Sequence, residues 1–359
     1  MNVFRRLPLY RLLLLGAVVL AAGVSATAIA LAVDSGPKPP PAPLAQALHD
    51  ALSAPAVDGV SASVTLTDHL LEGANLAGEG GSAGELASSP LVKGASGRLW
   101  ISNDGHVRLE LQAEKGDTQI LYDGKTVTMY DAANNTLYRY TPPARETSSS
   151  TVEHHEAPTV AKIEEAIAHV SEHAQLSGAT PTDIAGQPAY TVRAAPKEAG
   201  SLIGGAELSF DAAHGVPLRA AVYSTSSSAP VIELAATEIT YGPVPASVFS
   251  FTPPADAKVN DIATSHSSTR TTDGAEKPNV TSHGHGAAAI AVVERKSTAG
   301  AGTTQKAPEG LPKVTINGVS ATELRTALGT VLSFERSGVS YLLAGAVEPS
   351  AVEAVARGL

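Results

Sequence analysis

The sequence lacks cysteine altogether. This absence excludes a disulfide framework, a lipid-modified N-terminal cysteine, thiol catalysis and every zinc or iron–sulfur site built on cysteine. Aromatic residues are also scarce, at 4% of 359 residues, and charged residues reach only 17%, whereas apolar residues make up 43%. That balance is typical of a globular chain, while the 32 glycines and 24 prolines indicate long stretches outside the core.

The sequence also has no excess of positive charge. The net charge is −10, and the first 33 residues carry Arg5, Arg6 and Arg11 but no acidic residue, so removing those three positive charges leaves −13 on the remainder. Nucleic-acid binding requires a basic surface that neutralises phosphates. We therefore expect no nucleic-acid partner.

A long uncharged run extends from Leu12 to Val33. At about 1.5 Å per residue, a helix of this length can cross a hydrocarbon core of about 30 Å. The preceding arginines predict a cytoplasmic N-terminus, with the cytoplasmic membrane as a partner and residues 34–359 outside it. The alternative is a signal peptide cleaved near Ala30–Ala32, which would release a secreted protein.

The next segment, 34–43, contains the proline-rich stretch Pro37–Pro43. Proline favours neither a helix interior nor a strand ladder, so this stretch predicts a stiff extended tether that holds the domain away from the bilayer. A short amphipathic helix is predicted over Leu44–Leu52.

Alternating apolar and polar residues predict about ten β-strands. The pattern is clear over Val60–Thr67, and Asx-Gly turns divide residues 98–140 into a meander. Four more strands are predicted at 189–194, 206–211, 216–224 and 231–241. Because the connections are short and helices few, the strands should pair antiparallel in one large curved sheet, which makes the fold mainly β with some α (α+β).

One helix interrupts the strands, between residues 158 and 177, with Gly178 as its expected C-terminal cap. Its apolar positions Ile163, Ile167 and Val170 predict a lid that covers the apolar face of the sheet.

The segment 260–312 loses all periodicity, and we expect a disordered insertion that is dispensable for folding. After it, residues 313–359 should complete the domain. A final strand at Val339–Ala344 is expected to join the same sheet, and a Ser350/Glu353 capping box opens a short helix.

Three segments carry a family resemblance: Gly97–Ile101, Leu121–Asp131 and Val248–Val259, the last containing Phe-x-Phe-Thr-Pro-Pro. Together they resemble the LolA-like family of extracytoplasmic lipoprotein and lipid carriers, over roughly residues 44–259. With an N-terminal anchor and a polar insertion, the arrangement resembles the membrane-anchored LolA-like proteins of actinobacteria.

The resemblance implies an unclosed half-barrel wrapped over lid helices, with the acyl chains of a lipid or lipoprotein held between them. It also extends to RseB-type regulators, whose similar domain senses lipid signals and contacts an anti-sigma factor. That alternative implies an envelope protein partner. One departure concerns a basic residue expected shortly after the Leu-Trp strand: Ser102–His106 stands there, and Arg108 is displaced onto the polar phase of its strand. The cargo is therefore left open between lipid and lipoprotein.

No catalytic motif is present, and we expect a protein that is not an enzyme and needs no cofactor. His169 and His173 have the i, i+4 spacing of two metal ligands, but a solvated helix face explains them, so no metal site is predicted. The single tryptophan, Trp100, is out of phase with Leu99 and Ile101 and is expected in the core or at the cavity rim.

Apolar residues at alternating strand positions are the candidate lipid contacts, and core packing and cavity lining are both open to them. These are Leu99, Ile101, Val107, Leu109, Leu111, Ile120, Val127, Met129, Leu208 and Val222.

Overall fold

The computed structural model describes residues 36–71, 94–113, 116–142, 157–262, 279–296 and 311–359. Over these ranges the chain is mainly β, as predicted, with strands in two separate sheets and three α-helices. The helices are α1 (Leu44–Ser53), α2 (Val160–His173) and α3 (Pro349–Arg357).

The first sheet contains thirteen strands. They are β1 (Gly59–Asp68), β2 (Ala95–Ser102), β3 (Val107–Ala113), β4 (Gly116–Tyr122), β5 (Val127–Asp131), β6 (Thr136–Tyr140), β7 (Ala174–Leu176), β8 (Thr180–Ile184), β9 (Gln187–Pro196), β10 (Ile203–Asp211), β11 (Pro217–Ser224), β12 (Pro230–Tyr241) and β13 (Lys258–Ile262). Their order is β13-β6-β5-β4-β3-β2-β1-β12-β11-β10-β9-β7, and β8 also pairs with β9. All pairs are antiparallel except β13 with β6, and the sheet does not close.

The first sheet has one apolar and one polar face. In β1, Val60, Ala62 and Val64 are buried, while the intervening Ser61 and Ser63 point to the other side. Because side chains alternate between faces along a strand, the pairing register continues these two faces across the sheet, although over β4–β6 the polar face also buries apolar side chains such as Leu121.

Helix α1 covers the apolar face only near β8–β10. Its cluster joins Ala47 and Ala51 to Leu208 and Phe210 of β10, and to Tyr190 of β9. The turn after β10 fixes this contact: Gly215 has φ +65°, and a Cβ there would lie 2.1 Å from the carbonyl oxygen of Ala51.

Helix α2 does not cover the sheet in the way the sequence predicts. Ile163 is buried against Ala45 and Leu52 of α1, and Ile167 packs at the edge of the same cluster, so α2 is a second layer on top of α1. Val170 is half-buried outside this cluster.

The predicted C-terminal boundary of α2, with Gly178 as its cap, is also wrong. The helix begins after Thr159, whose side chain accepts a hydrogen bond from the backbone N–H of Lys162, and it ends at His173. Strand β7 follows at once from Ala174, so Gly178 is not the cap. The strand pairing with β9 terminates the helix where the sequence periodicity alone would continue it.

The proline-rich segment is extended, but it lies against the sheet instead of spanning free solvent. The Tyr190 hydroxyl donates a hydrogen bond to the Pro40 carbonyl (2.6 Å), and Ala42 forms a β-bridge with Ala179. Pro39 is buried. The chain therefore reaches α1 already docked on β8 and β9.

A second sheet of six strands contains the C-terminal part. Its strands are β14 (Asn279–His283), β15 (Ile290–Lys296), β16 (Lys313–Ile316), β17 (Val319–Thr326), β18 (Gly329–Arg336) and β19 (Val339–Gly345), in the order β14-β15-β19-β18-β17-β16. Helix α3 packs on one face through Val352 and Ala356, against Leu332 and Leu343.

Two predictions about this region are wrong. The strand at Val339–Ala344 joins the second sheet, and 260–312 contains the end of β13 together with β14 and β15. The short apolar patch there packs well because Val292, on β15 between β14 and β19, is fully buried in a core with Leu332, Leu343 and Val352. Residues 263–278 and 297–310 lie outside the described residues.

The two sheets meet along short backbone contacts. Ser201 forms a β-bridge with Val347, and Leu202 N–H donates to the Ala346 carbonyl (2.7 Å). On the β17–β18 turn, Ala327 N–H donates to the Leu70 carbonyl (3.0 Å). Within the described residues, no helix is both long and apolar enough to cross a membrane. The run Leu12–Val33 lies outside them.

Gly97 provides a test of the β2–β3 pairing. A Cβ at this position would lie 1.8 Å from the carbonyl oxygen of Glu110, although its backbone needs no positive φ. We expect Gly97→Ala to lower the free energy of unfolding by at least about 2 kcal/mol, because the two strands must separate. Urea unfolding followed by Trp100 fluorescence measures this effect in the first sheet.

Gly178 is the matched control, since it is exposed and a Cβ there would have open space. Gly178→Ala should be neutral or slightly stabilising. Equal effects of the two substitutions would contradict the close approach of β2 and β3.

Candidate functional site

All ten predicted contact residues lie on the apolar face of the first sheet. The register shows this directly across β2–β5, where Leu99 pairs with Leu109, Leu109 with Ile120 and Ile120 with Met129. On the other side of β1, Leu208 lies on the same face through the β10–β12 pairings. The alternation seen in the sequence therefore brings these residues together on one surface.

The ten residues differ in burial. Leu208 is buried under α1, and Leu111 is 1% exposed in the cluster around β1. The others are half-buried, and the cluster that includes Leu99 and Leu109 contains no residue of a described helix. We call this second group on β2–β5 the open apolar face: Leu99, Ile101, Val107, Leu109, Ile120, Val127 and Met129.

Tyrosines extend the open apolar face toward the sheet edge. Tyr138 pairs with Met129 and Tyr140 with Val127, which places both rings on the apolar side, and both are half-buried. Sequence reasoning missed them as contacts, although the alternation within Thr136–Tyr140 carries the signal. A tyrosine offers an apolar ring with a polar tip, which suits the border between a lipid chain and its headgroup.

The polar face is crossed by the segment 242–257, which we call the strap. Strand β12 lies beside β1 and β13 beside β6, and the strap connects them by way of contacts with β3 and β5. Arg108 donates to the carbonyl of Val248 (2.6 Å), and the Phe251 ring packs on Tyr130 at a centroid distance of 5.4 Å. The Phe-x-Phe segment of the family resemblance is thus a covering of the polar face, and Arg108 is its anchor.

A network of charges occupies the polar face of β9–β12. Glu207 accepts hydrogen bonds from Arg193 (3.0 Å), Arg219 (2.8 Å) and Tyr223 (2.7 Å), and Arg219 also contacts Glu233. Burial alone would raise the pKa of Glu207, but the hydrogen bonds from Arg219 and Tyr223 bring it below its ordinary value. The network keeps this part of the face charged, paired and closed.

Asp211 fastens the turn after β10 to β12. Its carboxylate is 1% exposed and accepts hydrogen bonds from the backbone N–H groups of Ala213 (2.7 Å) and His214 (2.8 Å) and from the Tyr241 hydroxyl (2.6 Å). Burial would raise the pKa of Asp211, but these hydrogen bonds outweigh it and lower the pKa. The same turn contains Gly215, which contacts α1, so Asp211 supports the covered end of the apolar face.

The described residues contain no cluster of three or more His, Asp or Glu side chains that could hold a metal ion. His169 and His173 are exposed on α2, and His169 Nδ1 is 3.5 Å from a Glu172 carboxylate oxygen.

Trp100 is on the polar face, opposite Ser61 and Arg108, and therefore neither packs under a lid nor joins the apolar core.

Residues 86–163 match the model of a family described as "Predicted periplasmic protein (DUF2092)". No curated protein matches the sequence. Among solved structures, MucB in complex with MucA(peri) has 13% identity and a TM-score of 0.43, covering 87% of this chain and 95% of that one. The MucA/MucB complex of Pseudomonas aeruginosa also has 13% identity, with the same coverage and a TM-score of 0.41.

A LolA superfamily protein from Nitrosomonas europaea has 10% identity and a TM-score of 0.21, covering 84% of this chain and 90% of that one. Identities and TM-scores this low do not establish a shared fold or a shared function.

The lowered pKa of Asp211 makes stability depend on pH. A carboxyl whose pKa is depressed in the folded state stabilises the fold above its unfolded pKa of about 3.9, and this contribution is lost as the pH falls through the folded pKa. Asp211→Asn should therefore cost about 1–3 kcal/mol at neutral pH, and the difference from wild type should shrink below about pH 4.

Urea unfolding at a series of pH values measures this difference. The matched control is Asp117→Asn, since Asp117 is exposed at the start of β4. A difference between wild type and Asp211→Asn that stayed constant from pH 7 to about pH 3 would contradict the assigned hydrogen bonds.

Proposed function

We propose that the chain binds acyl chains of a lipid or lipoprotein on the open apolar face and carries or shields them outside the cytoplasmic membrane. One observation carries this proposal: the apolar face of the first sheet continues across β2–β5, beyond the part that α1 covers. A contiguous apolar surface of this kind on an exported domain favours a lipid-like occupant.

Burial of an acyl chain supplies enough free energy for binding without any polar contact. Burial contributes about 0.8 kcal/mol per CH₂ group, so a sixteen-carbon chain supplies on the order of 10 kcal/mol before the costs of ordering it. The lining consists of aliphatic side chains, Met129 and the rings of Tyr138 and Tyr140, which can hold a chain but perform no reaction on it. A binding protein, rather than an enzyme, accounts for this lining.

The extracytoplasmic placement has two supports. The family matched over residues 86–163 is described as periplasmic, and the apolar run Leu12–Val33 after three arginines predicts export. The LolA-like motifs add to the lipid proposal, because two of them, Gly97–Ile101 and Leu121–Asp131, lie in the strands of the open apolar face.

A regulatory protein that contacts an envelope partner is the second candidate. The face of the second sheet opposite α3 exposes Val280 and Leu342 to 63% and 46%, and Val293 lies between them in the register. An exposed apolar stripe across neighbouring strands favours a protein contact. In this alternative the lipid is a signal, and the output is a change in partner binding.

Met129→Lys tests the acyl site. We expect a photoreactive long-chain fatty acid, applied to membranes that contain the full chain, to crosslink to peptides within 98–131. Met129→Lys should reduce this crosslinking at least tenfold, because a buried ammonium group is costly beside an acyl chain. Mass spectrometry of the digested protein locates and quantifies the crosslinks.

Thr128→Lys is the matched control, because Thr128 is the neighbouring residue of β5 and points to the polar face. It should retain crosslinking within about twofold of wild type. Crosslinks confined to residues 12–33, or equal losses in the two variants, would contradict an acyl site on the open apolar face.

Changes at Leu342 distinguish the two candidate functions. If the chain is a carrier, Leu342→Lys should leave transfer of the fatty acid to acceptor vesicles unchanged. If it is a regulator, a photocrosslinker placed at position 342 should capture one membrane protein, with a yield that changes when the fatty acid is added. Transfer without an acyl-dependent crosslink favours the carrier.

A further inference from the structure

A groove with a volume of about 190 Å³ lies on the polar face of the first sheet, on the opposite side from the open apolar face. It runs across three adjacent strands, β12, β1 and β2. We call it the Trp100 groove, and its lining consists of Ser61, Ala62, Ser63, Arg98, Trp100, Glu238, Ile239 and Thr240.

The register explains the shape of the groove. Two rows of side chains cross the strands: Thr240, Ser61 and Trp100 form one row, and Glu238, Ser63 and Arg98 form the other. The middle residue of each row is serine, so β1 provides a low floor of hydroxyl groups. The larger side chains of β12 and β2 form the walls, on strands about 9.5 Å apart.

Arg98 differs from the other arginines of this face. Arg108 donates to the Val248 carbonyl, Arg139 pairs with Asp261 (3.0 Å), and Arg193 and Arg219 both contact Glu207. Within the described residues, the guanidinium of Arg98 makes no hydrogen bond or ion pair, even though Glu110 is opposite it in the register. Glu110 pairs with Arg108 instead. Arg98 therefore presents unused donors to the groove.

Other groups at the groove are also available. In the described part of the chain, neither the indole N–H of Trp100 nor the hydroxyl of Ser61 has a protein partner for its side chain. The Glu238 carboxylate accepts one long hydrogen bond from Ser63 (3.4 Å), which leaves most of its acceptor capacity unused. Donors, an acceptor and one aromatic ring thus converge on the same open space.

We propose that the Trp100 groove binds a neutral saccharide. A sugar ring has an apolar C–H face that packs on an indole ring, and hydroxyl edges that both donate and accept hydrogen bonds. The guanidinium of Arg98 supplies donors and the carboxylate of Glu238 supplies an acceptor, on opposite walls.

The charges of the groove select against other ligands. The single positive charge of Arg98 is balanced by the negative charge of Glu238 across the floor, so a phosphate or another anion would meet repulsion from one wall. An acyl chain would leave the serine hydroxyls and the charged walls desolvated without partners. The volume of 190 Å³ suits a small ring.

The sugar site is independent of the acyl site proposed above. Leu99 and Ile101 face the apolar side, whereas Arg98 and Trp100 face the other. Either site can therefore fail its test while the other passes.

Trp100 is the only tryptophan of the chain, so its fluorescence reports this groove directly. The full chain, in a detergent whose headgroup contains no sugar, is titrated with chitotetraose and, separately, with maltotetraose. We expect a saturable change in Trp100 emission with at least one of them. Arg98→Ala should weaken that binding at least tenfold, and Glu238→Gln should weaken it as well.

Arg139→Ala is the matched control: it removes an arginine from the same face, at the ion pair with Asp261 and outside the groove. It should retain wild-type affinity. Far-ultraviolet circular dichroism checks that the variants fold, and isothermal titration calorimetry with Trp100→Phe measures the contribution of the indole. No saturable response to either sugar, equal losses in Arg98→Ala and Arg139→Ala, or a response only to an anionic sugar such as a glucuronate oligomer would overturn the proposal.

Discussion

The constraint on which this structure depends is the mismatch between a very wide two-faced sheet and its few short helices. Twelve strands follow one another in the first sheet, and at about 4.8 Å per strand its width is on the order of 55 Å. Helix α1 has 10 residues and α2 has 14, so they are only about 15 and 21 Å long. Because α2 lies on α1, the two helices together cover little more area than one.

The uncovered part of the apolar face follows from this geometry. A sheet with one apolar face must cover it, and a large exposed apolar area costs free energy and favours aggregation. Near β8–β10 the cover is α1, with Leu208 and Phe210 buried beneath it. Over β2–β5 the described helices supply none. An occupant that the described residues do not supply is the physical reason for proposing a lipid there.

On the polar face, the requirement is that charged side chains find partners. Charged side chains near the sheet surface are partly desolvated, so they are stable only when paired or hydrogen-bonded. Glu207 with its two arginines meets this requirement on one side of β1, and the strap with Arg108 meets it on the other. Between these regions, the Arg98 guanidinium and the Trp100 indole N–H make no hydrogen bond within the described residues, and the proposed ligand would supply their partners.

Much of the first sheet could be predicted from sequence, because period-2 alternation is a local signal. It identified β9–β12, and the ten residues predicted as lipid contacts do lie on one face of the sheet. The second sheet could not be predicted in this way: the residues at Val339–Ala344 alternate in the same manner whichever sheet they join. Likewise, Val292 looks insignificant in a short alanine-rich patch until β14 and β19 flank it.

The position of α2 and the role of Arg108 required tertiary information for a similar reason. Ile163 and Ile167 define an apolar helix face, but the pattern does not say whether that face meets a sheet or another helix. Arg108 was correctly predicted on the polar phase. Its partner Val248 is 140 residues away in sequence, and no local pattern connects the two.

Strand β2 is where both proposed sites meet, and its register decides which residues belong to each. A shift by one residue would turn Trp100 and Arg98 to the acyl side and Leu99 to the polar side. Gly97 prevents such a shift: it pairs with the buried Leu111, and the Glu110 carbonyl approaches so closely that only a residue without a Cβ fits. The absence of one side chain at position 97 thus fixes the faces on which the proposed lipid and sugar sites lie.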